Sequence, residues 1–167
     1  MQEKIINVII NENDYILSPF SDKNQLISRQ LAEYLEDNID YKLLNKKIVL
    51  KIICCEENMN NLDIYRFAIK NTYQRKYHNT KKQINQLMVI AIIMFLIGVI
   101  ILSFALVLDY LDKNILLFEV YDIIAWVFIW EAVDVFFFRR LLLIYKNRWN
   151  KLLMESTIEF HNETIDN

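Results

Sequence analysis

L-M-V-I-A-I-I-M-F-L-I-G-V-I-I-L-S-F-A-L-V-L, residues 87–108, is the stretch on which the architecture turns. Its 22 residues carry no charge and are interrupted only by Gly98 and Ser103. As an α-helix rising about 1.5 Å per residue it is about 33 Å long, enough for the roughly 30 Å hydrocarbon core of a bilayer. A helix this long and apolar on every face is out of place as the core helix of a small soluble domain. The segment reads as a transmembrane helix.

Working toward the C-terminus, residues 115–138 form a second apolar run rich in Ile, Val, Phe and Trp, but it carries Glu119, Asp122, Glu131 and Asp134. Insertion scales charge a carboxylate about 2.5–3.5 kcal/mol at mid-bilayer against a gain of about 0.3–0.6 for each large apolar residue. Position softens that balance, because Glu119 and Asp134 fall near opposite ends and residues 123–130 are an uncharged centre. With only residues 109–114 between the two runs, the expectation is a transmembrane helical hairpin. Arg75, Lys76, Lys81 and Lys82 precede it and Arg139, Arg140, Lys146, Arg148 and Lys151 follow it, whereas the connection holds only Lys113. That asymmetry puts both termini in the cytoplasm of a cell membrane. No basic stretch followed by a short apolar core opens the chain, so no cleavable signal is expected.

Composition agrees with such a segregated chain. Of the 167 residues 54% are hydrophobic and 24% charged, so the apolar excess has not displaced charge. Residues 1–86 hold 13 basic and 11 acidic side chains, residues 87–138 one and six, and residues 139–167 five and four. The formal net charge of −2 therefore hides a mildly basic water-facing part and an acidic membrane part. One glycine in the whole chain excludes the glycine-rich phosphate loops of P-loop and dinucleotide folds and the G-x-S-x-G nucleophile elbow.

Residues 1–60 read as a small α/β domain. A β-branched run at 5–10 is a strand, S-P-F-S at 18–21 is a turn, and Ser21 or Asp22 is placed to cap a helix over 24–38 that puts Leu26, Ile27, Leu31, Tyr34 and Leu35 on one side. K-I-V-L-K-I-I-C-C, residues 47–55, is a second strand whose continuous apolar run suits an interior position. Leu62, Tyr65, Ile69, Tyr73 and Tyr77 recur at helical steps along a stalk, residues 61–86, that has no glycine or proline before the first span. After the second span, residues 139–167 continue as a helix with Leu142, Tyr145, Trp149 and Leu152 as a seam for the stalk, and 156–161 alternates as a third strand would. The expected fold is thus an α+β membrane protein: a cytoplasmic βαβ(α) domain on a helical stalk, plus a two-helix transmembrane hairpin of residues 87–108 and 115–138. With so few residues outside the membrane, the domain is expected to depend on the stalk or on copies of itself for its core.

Glu119, Asp122, Glu131 and Asp134 are the candidate functional residues. At 100° per residue they share one half of the second span with Trp126, Trp130, Val133 and Phe137, while Ile124, Ala125, Phe128, Ala132 and Val135 make an apolar opposite arc suited to lipid. Intramembrane acids face a bundle interior or a water path, which suggests an ion path or an oligomer contact. Neither span supplies a base, so either the acids mark helix ends or pair with Arg139 and Arg140 just beyond the second span, or self-association is the simplest remedy. Arg75, Lys76, Lys81, Lys82, Arg139 and Arg140 are the basic residues expected to set topology and meet anionic lipid.

Other constellations are weaker. Glu131 and Asp134 are three apart but have no histidine beside them, so no metal and no cofactor is expected. Cys54 and Cys55 are adjacent and cytoplasmic, and read as free thiols. The aromatic and basic residues of 65–78 are a packing stripe with a solvated face, so nucleic acid is not an expected partner. His78 and His161 have no triad partners, and no enzyme is expected.

A-W-V-F-I-W-E-A-V-D-V-F-F-F-R-R at 125–140, following S-P-F-S at 18–21, resembles uncharacterised two-pass membrane proteins of bacteria. The resemblance spans most of the chain. It implies an inner-membrane setting and brings no activity, cofactor or catalytic residue.

The expected role is a non-enzymatic, self-associating membrane protein whose cytoplasmic domain binds a ligand or a protein partner and is coupled to the hairpin. The alternatives are an ion-conducting or membrane-disrupting effector that uses the acids of the second span, and a scaffold for which the membrane part is only an anchor.

Overall fold

The computed structural model describes residues 3–10, 16–19, 26–38, 47–54, 62–111 and 115–162. Among the described residues the chain is mostly helical, with a small three-stranded parallel sheet and one helix long and apolar enough to cross a membrane. Its elements are β1 (Glu3–Ile10), α1 (Arg29–Asp37), β2 (Lys47–Cys54), α2 (Leu62–Tyr110), α3 (Ile115–Asp134), a π-helical turn (Val135–Arg139), α4 (Arg140–Met154) and β3 (Thr157–Asn162). They form two compact units. One comprises Met1–His78 with Asn147–Asn167, and the other Asn79–Lys146.

In the first unit the strands run in the order β1-β2-β3, all parallel, with Ile6 beside Leu50 beside Ile158 and Val8 beside Ile52 beside Phe160. The apolar run of β2 takes the central position, and the alternating tail is the third strand. Parallel neighbours need a crossover, and right-handed crossovers that step the same way along a sheet cover the same face. Burial follows that rule. Ile6, Val8, Leu50, Ile52 and Ile158 are in the core, whereas Ile5 and Ile9 on the other face are 56% and 59% exposed. The second crossover is residues 55–156, so the entire second unit is inserted between β2 and β3.

The stalk supplies much of this core. Tyr65, Ala68, Ile69 and Tyr73 of α2 join Ala32 and Leu35 of α1 and Leu153 of α4 over the sheet. Arg66 donates to Ile158 O of β3 at 3.4 Å and lies over the Phe160 ring, tying α2 to the last strand. The expected seam of α4 holds in its second half only: Leu142 is 70% exposed and Tyr145 is also exposed, whereas Trp149 is half-buried and Leu152 packs against the core that Leu153 enters.

Helix α1 begins later than its sequence suggests. Leu17 pairs antiparallel with Ile27, Ser18 N donates to Leu26 O and Ser28 N to Ile16 O, both at 2.8 Å. These extended bonds occupy the backbone before Arg29, so Ser28 is the cap and its Oγ accepts from Leu31 N. Ser21 and Asp22 lie outside the described residues, as do Cys55 and the connection 112–114. The Ile27 N–H is met by Thr72 Oγ1 at 3.1 Å, which itself donates to Ala68 O.

Tyr73 is fully buried and donates weakly to Ala32 O at 3.4 Å. Burial, reinforced by the Glu36 carboxylate, pushes its phenol well above the ordinary range. The unfolded chain gives up this proton at a lower pH than the folded one. The associated stability is therefore whole below about pH 10 and lost as pH rises beyond it. Circular dichroism against pH should show Tyr73→Phe resisting alkaline unfolding above about pH 10 better than the native chain. Superimposable profiles would assign the alkaline loss to other groups.

In the second unit α2 is the helix of membrane-spanning character. Its most apolar 18-residue stretch is only 11% buried, the reverse of a soluble core helix. The expected stalk and first span are one unbroken helix. Helix α3 is 20 residues long, but every 18-residue window in it holds at least three acids, so on composition it does not match α2 as a span.

Candidate functional site

Small residues bring α2 and α3 together. Ala91, Gly98 and Ala105 recur every seven residues on α2, Ala125 and Ala132 do so on α3, and all five are buried. A seven-residue repeat keeps one seam of a slightly supercoiled helix facing its partner. Small side chains there let the backbones approach. A Cβ built on Gly98 would sit 2.8 Å from Ile129 Cγ1 and 3.2 Å from Ala125 O. Phe104 packs edge-on against Tyr121 with centroids 5.2 Å apart, so the helices run antiparallel.

This packing reverses the expected faces of α3. Ala125, Ala132 and Val135, placed by the sequence on a lipid-facing arc, are buried. Trp126, Trp130 and Phe137, on the arc of the acids, are exposed. The reason is size: the arc of small residues is the one that can come within backbone distance of Gly98, and the bulky arc cannot.

The acids consequently lie on the outer side, and two of them are met there. Arg139 Nε donates to Asp134 Oδ2 and its terminal amino group to Glu131 Oε1, each at 2.9 Å. The π-helical turn makes this possible. In an uninterrupted α-helix Arg139 would stand about 140° around from Asp134 and about 80° from Glu131. The extra residue absorbed by a π-turn shortens those offsets to the equivalents of four and seven residues, which are about 40° and 20°. Of the two arginines beyond the expected span, it is thus the first that meets the acids, on the same helical run. Glu119 is exposed and Asp122 half-buried, and neither has a hydrogen bond or ion pair with another described residue.

The basic residues divide as well. Arg75, Lys81 and Lys82 are exposed on α2. Lys76 is instead held in the first unit by Glu36 Oε1 at 2.5 Å and lies over the Tyr73 ring. Arg139 is committed to the two acids. Arg140, its neighbour, stacks on Phe136 with its guanidinium 5.0 Å from the ring centre.

A second candidate lies in the first unit, a cleft of about 350 Å³ between α1 and α2. Arg29, Glu33 and Glu36 line it from α1, and Thr72 and Lys76 from α2. Arg29 pairs with Glu33 along α1 at 2.7 Å, and Glu36 pairs with Lys76 across the cleft. Sequence reasoning missed this group because Glu36 and Lys76 are distant in the chain. Only the i,i+4 spacings of Arg29 with Glu33 and of Thr72 with Lys76 hinted at shared faces. The polar stretches at 11–14 and 56–61, noted as loops able to meet a ligand, fall outside the described residues. Among the described residues no three of His, Cys, Asp and Glu converge to hold a metal ion.

No family model, curated protein or solved structure matches the chain, so these sites are interpreted from their geometry alone.

Proposed function

We propose that this chain is a two-pass inner-membrane protein, with both termini cytoplasmic, whose α/β domain binds a polar ligand or protein partner and is coupled to a membrane hairpin of α2 and α3. The observation that carries this reading is the exposure of the apolar stretch of α2, which leaves lipid as its natural surroundings. The small-residue seam supports it, since close packing of small residues drives helix association where no hydrophobic effect acts. The acids of α3 need not disqualify a second span, because Arg139 pairs with two of them within the same chain and cuts the charge of that cluster from −2 to −1. Coupling is supported by the continuity of α2, which carries Thr72 and Lys76 of the charged cleft and runs on to Gly98.

The role is binding and transmission rather than catalysis. Arg139 also weakens the alternative of a cation path, which loses two of its four carboxylates to this pair. Self-association is correspondingly less demanded by charge, and its support narrows to Asp122 and the exposed Trp126 and Trp130.

Topology tests the core of the reading. In intact bacterial cells a cysteine replacing Leu111 should react with a membrane-impermeant maleimide, while tags at both ends should be reached only after lysis. A C-terminal tag accessible in intact cells would overturn the two-pass arrangement. Release of the chain by carbonate washing would overturn membrane integration altogether.

A further inference from the structure

The two adjacent arginines after α3 have different surroundings, and one of them is left available. Arg140 makes no ion pair with a described residue, and its Nε is buried without a hydrogen-bond partner. That nitrogen is closed off where the guanidinium lies over Phe136, which leaves the terminal amino groups as the part of Arg140 that can meet an anion. Arg140 lines a groove of about 570 Å³ whose other walls include Trp130, Val133, Phe137, Leu141 and Ile144, all apolar. The volume is in the range of ligand sites.

We infer that this groove is a binding site for one anionic glycerophospholipid, the phosphate on the Arg140 guanidinium and an acyl chain along Trp130, Val133 and Phe137. The inference rests on the membrane reading of the second unit proposed above. Three observations favour a lipid over a soluble anion or a protein. The groove is apolar apart from a single cation, which is the polarity order of a headgroup above its chain. The planar, weakly hydrated guanidinium is suited to phosphate at an interface. The π-turn that commits Arg139 to Glu131 and Asp134 leaves Arg140 outside that cluster, without a protein acid. The division of labour is thus between an arginine that pairs with two acids of the helix and one that recognises the leaflet.

Trp130 lines the groove and reports on it. The chain has three tryptophans, so Trp126→Phe with Trp149→Phe leaves Trp130 as the one emitter. The full chain in this background is reconstituted into phosphatidylcholine vesicles with a minor fraction of phosphatidylglycerol or phosphatidylcholine brominated on the acyl chain. One favourable interfacial charge contact predicts about fivefold stronger quenching by the brominated phosphatidylglycerol. Arg140→Gln should bring the two lipids to parity, Arg140→Lys should keep part of the preference, and Lys146→Gln should keep all of it. Helical circular dichroism accompanies each variant, and the Arg140→Lys result carries the test if Arg140→Gln loses its helix. Quenching by neither lipid overturns the membrane reading and the site with it. Equal quenching by both leaves the membrane reading standing and overturns the site, as does a preference that survives Arg140→Gln in a folded chain. Loss of the preference on adding inorganic phosphate would assign the site to a soluble anion and overturn the lipid.

Discussion

Replacing Gly98 by leucine is expected to drive α2 and α3 apart. The space for even a first side-chain carbon is missing: a Cβ there meets Ile129 Cγ1 at 2.8 Å and the backbone oxygen of Ala125 at 3.2 Å. Alanine would recover about 1 kcal/mol of helix propensity against an overpacking cost of about 1–3 kcal/mol, a modest net loss. Leucine adds three further carbons in the same direction, which the backbone of α3 cannot yield to. The helices then lose the close approach at Ala91, Ala105, Ala125 and Ala132 together, because all five small positions lie on one repeat. The expected penalty is about 3 kcal/mol or more. A readout is crosslinking between cysteines placed at Phe104 and Tyr121, whose rings now touch, with Cys54 and Cys55 changed to serine. A short bismaleimide should bridge the pair in the parent chain and fail in Gly98→Leu, while Val99→Leu on the exposed side should be silent. Equal crosslinking in Gly98→Leu would refute the seam.

Replacing Arg139 by glutamine should do more in a membrane than in water, and that difference makes it informative. Arg139 and its two acids are each partly exposed, and in water such pairs contribute about 0–1 kcal/mol. If α3 lies in a bilayer, the same change leaves two unpaired carboxylates there, at up to about 3 kcal/mol each near the centre and less toward the interface. The second span should then fail to insert in a large share of molecules, and a C-terminal reporter should move from the cytoplasmic to the outer side. Glu131→Gln with Asp134→Asn, added to Arg139→Gln, should restore the cytoplasmic terminus. That rescue separates pairing from a simple loss of positive charge, which removing acids does not replace. An Arg139→Gln chain with unaltered C-terminal topology would show that the pair does not carry α3 across.

Much of the first unit is legible locally. The strand at 47–55 has the continuous apolar run of a central strand and is one, ending at Cys54, and the stripe of Tyr65, Ile69 and Tyr73 is buried as its spacing implies. The tail alternates Ile158 inward with Thr157 and Glu159 outward, and pairs with β2 as β3. The start of α1 was hidden because the bonds that delay it join Ile16–Ser18 to Leu26–Ser28, a pairing with no local signature. The charged cleft was hidden for the same reason.

The acidic segment was misread through an assumption about which arc matters. Counting hydrophobic residues makes a run of Ala and Ile look like a lipid face, but in helix pairing the size of a side chain outweighs its polarity. The five small residues at sevenfold spacing were visible, and they were the available signal.

By itself the sequence determined that residues 87–108 have membrane-spanning length and composition, and that an α/β domain and an unbroken helical stalk precede them. Those properties follow from hydropathy, β-branching and the lack of glycine and proline, all summed along the chain. Only the tertiary structure decided that β3 returns beside β2, which face of α3 is inward, and that Arg139, of the two adjacent arginines, meets Glu131 and Asp134. Each of these depends on distances between residues that periodicity cannot supply: the gap left by Gly98, and one extra residue in a helical turn.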